Sequence, residues 1–361
     1  MNTVTLSIPK NTPRALLPKL LAPAVELLRQ DKVVAIPTET VYGLAANAMS
    51  AMAVDAIYTA KGRPRDNPLI VHCSSMDMVA KFFLTRGEDG VASFPPVYRQ
   101  IVQKYWPGPL TIILPVQQGV LPDQVTCGLS TVAVRVPDDV ITRTLIEACG
   151  FPLAAPSANT STRPSPTTAA HVLEDLNGKI PMVIDGGELG DGMCQVGIES
   201  TVLDGLGENK VILRPGAVTM EELKQMAGWE DVQMWHKTAV KEDGWKPVAP
   251  GMKYQHYAPR TPVTLVLPST KPIHRDDVVP LLPRDKKVAL LGVHMPPSSD
   301  TDLTTISLGS TVADMAHLLF AKLREVDTTV DEIWVIGVAE EGIGSAVMNR
   351  LRKAAAHTIT L

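Results

Sequence analysis

The sequence has no C-x-x-C pair, and its four cysteines (Cys73, Cys127, Cys149 and Cys194) are spread widely along 361 residues. That usage argues against a disulfide scaffold and fits reduced thiols in a cytoplasm. No apolar run approaches the roughly 18 residues of a membrane span. The opening "MNTVTLSIPK" lacks the basic and apolar regions of a secretion signal. The expectation is a cytoplasmic protein with no membrane partner. Charge of one sign is also missing. Formal net charge is −4, with 24 Lys+Arg against 26 Asp+Glu up to residue 260 and 10 against 12 beyond it. A broad basic face for nucleic acid is therefore absent, and anion binding must rest on a few placed side chains. There is no G-x-x-x-x-G-K-[ST], no G-x-S-x-G, no H-E-x-x-H and no Cys/His cluster at metal-ligand spacing. These absences argue against a Walker cradle, a hydrolase elbow and a protein-ligated zinc.

What is present is an α/β alternation in a chain that is 45% apolar. "KVVAIPTET", "PLIVHC", "LTIILPV", "TVAVRVPD", "FPLAAPSA", "PMVIDGG", "GIESTVLDG" and "KVILRPGAVT" read as short strands. "SAMAVDAIYTAKG", "DDVITRTLIEACG" and "SPTTAAHVLEDLNG" have helical spacing and helix-start or helix-stop residues. From about residue 228 to 262 the periodicity fades into a Trp-, Pro-, Lys- and Gly-rich stretch, which reads as a long linker. A second α/β unit follows, with strand-like "VTLVLP", "KVALLGVH", "TTISLG" and "EIWVIGVA" around an amphipathic "TVADMAHLLFAKLREVD". Gly342 and Gly344 make only a partial G-x-G fingerprint, with Val347 at the third position. The division expected is 1–220, a linker and lid over 221–261, and 262–361.

Polar residues collect at strand ends, where open α/β sheets hold ligands. "PTETVYGL" carries Thr38, Glu39, Thr40 and Tyr42 out of a buried strand. "KGRPRDNPLIVH" sets Lys61, Arg63 and Arg65 on a short segment stiffened by Gly62 and Pro64, which suits a polyphosphate. Arg135 lies inside an apolar strand, so it meets either an internal carboxylate or a ligand anion. "AAPSANTSTRPSPT" gathers hydroxyl and amide groups before a helix, a pattern that can hold an anion at the helix N-terminus. Ser200, Thr201 and Arg214 stand beside further apolar strands.

Taken in order, "PTETVYGL", "KGRPRDNPLIVH", "AVRVPD", "APSAN", "GIESTVLD" and "ILRPGAV" resemble the YrdC-like threonylcarbamoyl-AMP synthases. "APGMKYQHYAP" and the unit after it resemble the two-domain form of that family. The resemblance implies a YrdC-like twisted-sheet catalytic domain with a central cavity, and a smaller Rossmann-like C-terminal domain. It implies a nucleotidyltransferase that turns L-threonine, bicarbonate or CO₂ and ATP into threonylcarbamoyl-adenylate and pyrophosphate, with Mg²⁺ on the phosphates. The product would feed the downstream machinery that makes N6-threonylcarbamoyladenosine in tRNA, with at most weak tRNA contact by this chain. By the same resemblance Thr40, His72, Thr131, Arg135, Ala155 and Ser200 would line the threonine end. Lys61, Arg63, Asn67, Ser157, Asn159, Ser165 and Arg214 would serve ATP, with Lys61 and Arg63 offsetting charge on the departing pyrophosphate. The linker around Tyr254 and His256 is expected to close over the cavity and exclude water. Two competing readings are a tRNA or double-stranded RNA binding module of the same fold, and carbamoyl-adenylate chemistry as in hydrogenase-maturation relatives. The balanced charge argues against the first, and the cysteine spacing shows no zinc-finger-like module for the second.

Overall fold

The computed structural model describes residues 2–9, 11–84, 93–186, 193–235, 256–269, 271 and 273–361. Among these residues eleven strands form one mixed sheet. β1 (Val4–Ser7), β2 (Val34–Ile36), β3 (Gly43–Asn47) and β4 (Ile70–His72) come first. β5 (Leu110–Pro115), β6 (Thr131–Arg135), β7 (Leu153–Ala154) and β8 (Met182–Asp185) follow. β9 (Thr201–Asp204), β10 (Val211–Arg214) and β11 (Gln233–Met234) complete the sheet, whose order is β1-β8-β2-β3-β7-β4-β6-β5-β9-β10-β11.

The period-2 alternation of side chains decides what each face of this sheet does. Val71 of β4, Val134 of β6 and Ile112 of β5 join the main core, together with Ile57 and Tyr58 of the helix Ala51–Lys61. Ile70, Ala133 and Ile113 fall on the other face. His72, Arg135 and Thr111 share that second face and are paired neighbours across β4, β6 and β5. The helix Ala51–Lys61 is fixed at both ends. Ser50 accepts from the Ala53 amide, and Gly62, at φ 60°, stops the helix directly after Lys61.

The second unit is an all-parallel sheet of β12 (Val263–Leu267), β13 (Val288–Gly292), β14 (Leu303–Ser307), β15 (Glu332–Ile336) and β16 (His357–Thr360). Its order is β14-β13-β15-β12-β16, with the helices Val312–Val326 and Ile343–Ala354 as crossovers. β16 was not legible as a strand because "HTIT" is short, polar and at the sheet edge. The 221–261 stretch, expected as linker and lid, begins instead as part of the large unit. Trp229 is only 1% exposed, packs against Tyr98 and donates its indole N–H to the Val97 carbonyl at 2.9 Å. β11 then pairs with β10. None of the four cysteines is in a disulfide. Among the described residues no helix is long and apolar enough to cross a membrane.

The two units share a core in which Val41 and Ile198 pack with Met315, Leu319 and Phe320. Buried ion pairs accompany it. Arg324 reaches Asp175 at 2.8 Å and Glu174 at 3.1 Å, and Arg163 bridges Asp175 and Asp327 at 3.3 and 2.8 Å. Gly197 sits in this contact at φ 77°, where a Cβ would lie 2.3 Å from the His317 carbonyl oxygen. Gly197→Ala therefore meets both a left-handed backbone and a neighbouring helix, and we expect it to cost at least about 2 kcal/mol of unfolding free energy. Gly62→Ala, at a similar φ but with open space around it, is expected to cost about 1 kcal/mol. Denaturant melts compare the two, and equal costs would contradict the close approach at Gly197.

Candidate active site

A cavity of about 50 Å³ lies on the polar face of the large sheet. His72 and Arg135 enter from β4 and β6, and Ser200 from the residue before β9. Thr111 ties this row together through a 2.8 Å contact between its hydroxyl and that of Ser200. Arg214 reaches the same space by a different route. Strict alternation would send it into the core with Ile212, but the register with β9 shifts between Ile212 and Arg214. A bulge of this kind re-aims a side chain, and here it turns the guanidinium toward the cavity. The opposite wall is the turn after β2 with Thr38 and Thr40, and the Ala155–Ser157 stretch, which bridges to Gly43. His256 and Tyr257 complete the lining from the linker's end.

The electrostatics divide into two regions. Arg135 forms an ion pair with Glu39 at 2.6 Å, donates to the Thr40 hydroxyl at 2.9 Å and to the Gly108 carbonyl at 3.2 Å. Of the two partners the sequence left open for Arg135, the internal carboxylate is thus present, and the side chain also lines the cavity. The other cations are held by neutral acceptors. Arg63 donates to the carbonyls of Asn67 and Pro68 at 3.2 and 3.1 Å. Arg214 donates to the Ser200 carbonyl and hydroxyl at 3.0 and 3.1 Å. Lys61, 1% exposed, donates to the carbonyls of Ser157 and Asn159. Burial first, and then the Arg63 charge, hold the Lys61 ammonium well below its usual range. Arg65 differs from its two neighbours. It is 62% exposed, pairs with Asp55 and faces away from the cavity.

Of the residues expected at the threonine end, Thr40, His72, Arg135, Ala155 and Ser200 line the cavity together. Thr131 does not. It starts β6, paired with Pro115, and four steps of strand at ~3.3 Å each separate it from Arg135. At the other end Arg63, Ser157 and Arg214 line the cavity, while Lys61 braces it from behind. Ser165 is buried against Glu199, to which its hydroxyl donates. Asn159 donates to the carbonyls of Thr160 and Arg163 at 2.7 and 3.0 Å, so it shapes the loop. Asn67 supplies its backbone carbonyl to Arg63. The run from Ser157 to Ser165 is not at a helix N-terminus, because that helix begins at Ala169, capped by Thr168. His256 lines the cavity, whereas Tyr254 lies outside the described residues. Sequence reasoning missed Tyr257, Glu199 and Thr111. Tyr257 is the most telling of these, a buried tyrosine at φ 68° stacked on His256 with ring centroids 4.5 Å apart. Its signal was the second tyrosine of "YQHYAP".

Two histidines face this space. Burial, and then the Arg135 charge, pull His72 down to about 3. Burial, and then the Arg63 charge, do the same to His256. Among the described residues Nδ1 of His72 has no hydrogen-bond partner. Both rings stay neutral in the folded chain, whereas an unfolded histidine takes a proton near about 6.5. Between those values the unfolded state binds more protons, so this stability is complete above about 6.5 and is lost as pH falls toward 3. Each ring contributes about 1.4 kcal/mol per pH unit across that window. Denaturant stability measured between pH of about 4 and 6 should therefore lose one proton of slope in His72→Gln. An unchanged slope would mean that the ring is solvated.

A family model of the Sua5/YciO/YrdC type, described as telomere recombination, matches residues 26–216. A second, described as the threonylcarbamoyl-AMP synthase C-terminal domain, matches residues 218–356. The chain is 43% identical over 340 residues to a threonylcarbamoyl-AMP synthase of Pyrococcus abyssi, covering 93% of this chain and 94% of the relative. It is 39% identical over 346 residues to a threonylcarbamoyl-AMP synthase of Bacillus subtilis, covering 93% and 92%. The solved structure of P. abyssi Sua5 complexed with L-threonine matches with a TM-score of 0.85 at 39% identity, over 99% of this chain and 100% of that one.

Proposed function

The chain belongs to the Sua5/YrdC family of threonylcarbamoyl-AMP synthases, and from that premise we propose that it joins L-threonine, bicarbonate or CO₂ and ATP into threonylcarbamoyl-AMP and pyrophosphate. The observation that carries this reading is one cavity lined by the polar row of Thr40, His72, Arg135 and Ser200 and by the guanidinium groups of Arg63 and Arg214, which are held by carbonyl and hydroxyl oxygens. Arg135, Thr40 and His72, with Ala155 and Ser200, would receive threonine. Arg63, Ser157 and Arg214, with Lys61 behind them, would receive the nucleotide. Threonine's amine adds to CO₂ to give a carbamate, and a carbamate oxygen then attacks the α-phosphorus as pyrophosphate leaves. No side chain has to form a covalent intermediate. The chain's part is to orient the reactants and to hold positive charge where the leaving group becomes more negative. As a nucleotidyltransferase it would supply an activated carbamoyl group to enzymes that modify tRNA. No observation favours an RNA-binding role over this one.

If magnesium arrives with ATP, it would supply further positive charge to the phosphates beside Arg63 and Arg214. Among the described residues no three His, Cys, Asp or Glu side chains could hold a metal ion together. Glu39 and Glu199 are already paired with Arg135 and Arg350. The donor set therefore fits a metal carried by the nucleotide rather than one held by the chain.

A cavity of about 50 Å³ is far below the ~300 Å³ or more of ordinary small-molecule sites. ATP needs more room than this, and the segment bearing His256 and Tyr257 is proposed to be the part that moves aside for substrates and returns for chemistry. Deleting residues 249–257 is expected to lower turnover by at least about 100-fold, since both closure and exclusion of water are lost. Undiminished turnover would remove the lid from the mechanism. Pyrophosphate release should need ATP, L-threonine and bicarbonate together, and should fall by about 100-fold or more in Lys61→Ala/Arg63→Ala. Release without threonine would overturn the assignment.

A further inference from the structure

We propose that Arg350, on the second unit's helix Ile343–Ala354, is a positioning residue for the nucleotide end of the cavity. This deepens the proposed reaction and rests on it. Arg350 is 0% exposed, and its guanidinium leaves its own domain to end among residues of the other. Nε donates to Oε2 of Glu199 at 3.1 Å. Nη2 donates to the Glu199 carbonyl at 3.3 Å. Nη1 donates to the Pro215 carbonyl, and to Ala346 at 3.4 Å. The group also lies over the Tyr257 ring, 5.8 Å from its centroid.

Of these partners Glu199 and Tyr257 line the cavity, and Pro215 adjoins the lining residue Arg214. The second carboxylate oxygen of Glu199 accepts from the Ser165 hydroxyl, so Arg350 fixes Ser165 through one intermediary. Pro215 follows Arg214 directly, and Glu199 precedes Ser200, whose carbonyl holds the Arg214 guanidinium. The two backbone segments touch. A Cβ at Gly216 would lie 2.3 Å from the Thr201 amide nitrogen, so neither segment can shift alone. Tyr257 completes the lining beside His256. A single fork-shaped cation thus sets Ser165, Arg214 and Tyr257 relative to one another.

The threonine end has its own supports. Arg135 is held by Glu39, Thr40 and Gly108, and Ser200 keeps its contact with Thr111, all inside the first unit. Ser200 follows Glu199 and is not wholly independent of the fork, so loss of Arg350 is expected to act more strongly on ATP than on threonine. A lysine at this position retains the charge opposite Glu199 but offers a point rather than a planar fork. It cannot hold Glu199 and Pro215 in one geometry.

The test uses the full chain carrying Arg350→Lys. Steady-state pyrophosphate release is measured with ATP and threonine varied in turn, and binding of adenylyl imidodiphosphate is measured directly by calorimetry. The expected result is a rise of at least about tenfold in KM for ATP and in Kd for the analogue, with KM for threonine within about twofold and a thermal midpoint that stays well above the assay temperature. Millimolar guanidinium should partly restore Arg350→Ala. Wild-type affinity for ATP in Arg350→Lys would overturn the proposal. Equal losses for both substrates, or losses that track the fraction unfolded, would reduce Arg350 to a domain contact and overturn it as well. A wild-type chain that releases no threonine-dependent pyrophosphate would overturn the reaction itself, while the analogue titration would still decide whether Arg350 positions the nucleotide end.

Discussion

Cations kept inside a fold must each be given an acceptor, and the rest of this structure follows from how that requirement is met. Lys61, Arg63, Arg135, Arg214, Arg324 and Arg350 are all buried. Arg135, Arg324 and Arg350 face carboxylates, so their charge is largely cancelled. Lys61, Arg63 and Arg214 are held by carbonyl or hydroxyl oxygens, which satisfy donors without forming an ion pair. The two kinds of support are distributed unevenly around the cavity. The end built on Arg135 is close to neutral, which suits a zwitterionic amino acid. The end built on Arg63 and Arg214 is positive, which suits a polyphosphate. Because the acceptors belong to rigid turns and strand ends, little reorganisation is needed when an anion arrives.

The same requirement explains why the second unit is joined so closely to the first. A domain that merely sat beside the large sheet would need an apolar contact and a polar rim. This interface instead buries Arg324 against Asp175 and Arg350 against Glu199, pairs whose separation would leave uncompensated charge in each half. Asp327 adds to this by accepting the Arg260 and Thr261 amides while pairing with Arg163. The start of the second unit is thereby tied to the loop that carries Ser157 and Asn159. Cavity and interface share residues, so they are parts of one construction.

How much of this was legible in the sequence depends on range. Strands β4, β5, β6, β9 and β10 could be read because β-branched alternation is local, and the Lys61–Arg63 segment because Gly62 and Pro64 mark it. Arg135 stood out as a charge in an apolar strand. Thr131, expected at the threonine end from the family resemblance, does not line the cavity. Trp229 looked like part of a linker because a lone buried aromatic has no period. Glu199 and Arg350 gave no local sign at all. They lie 151 residues apart, and their pairing exists only once the second unit has docked.

Tyr257 brings these strands of reasoning together. A tyrosine at φ 68° adopts a backbone region that ordinary side chains avoid, and such a conformation persists only when its surroundings over-determine it. Here they are His256 on one face, Phe320 of the second unit at 5.2 Å, the Arg350 guanidinium, and the Ala258 amide held by the Thr162 carbonyl at 2.8 Å. Strain held by contacts from both units lowers the cost of releasing the segment, because opening relieves it. A small cavity lined by a residue in a strained backbone is the arrangement that the proposed opening would draw on. Two of the contacts that hold Tyr257, Phe320 and the Arg350 guanidinium, come from the second unit, so the second unit takes part in fixing a residue of the cavity lining.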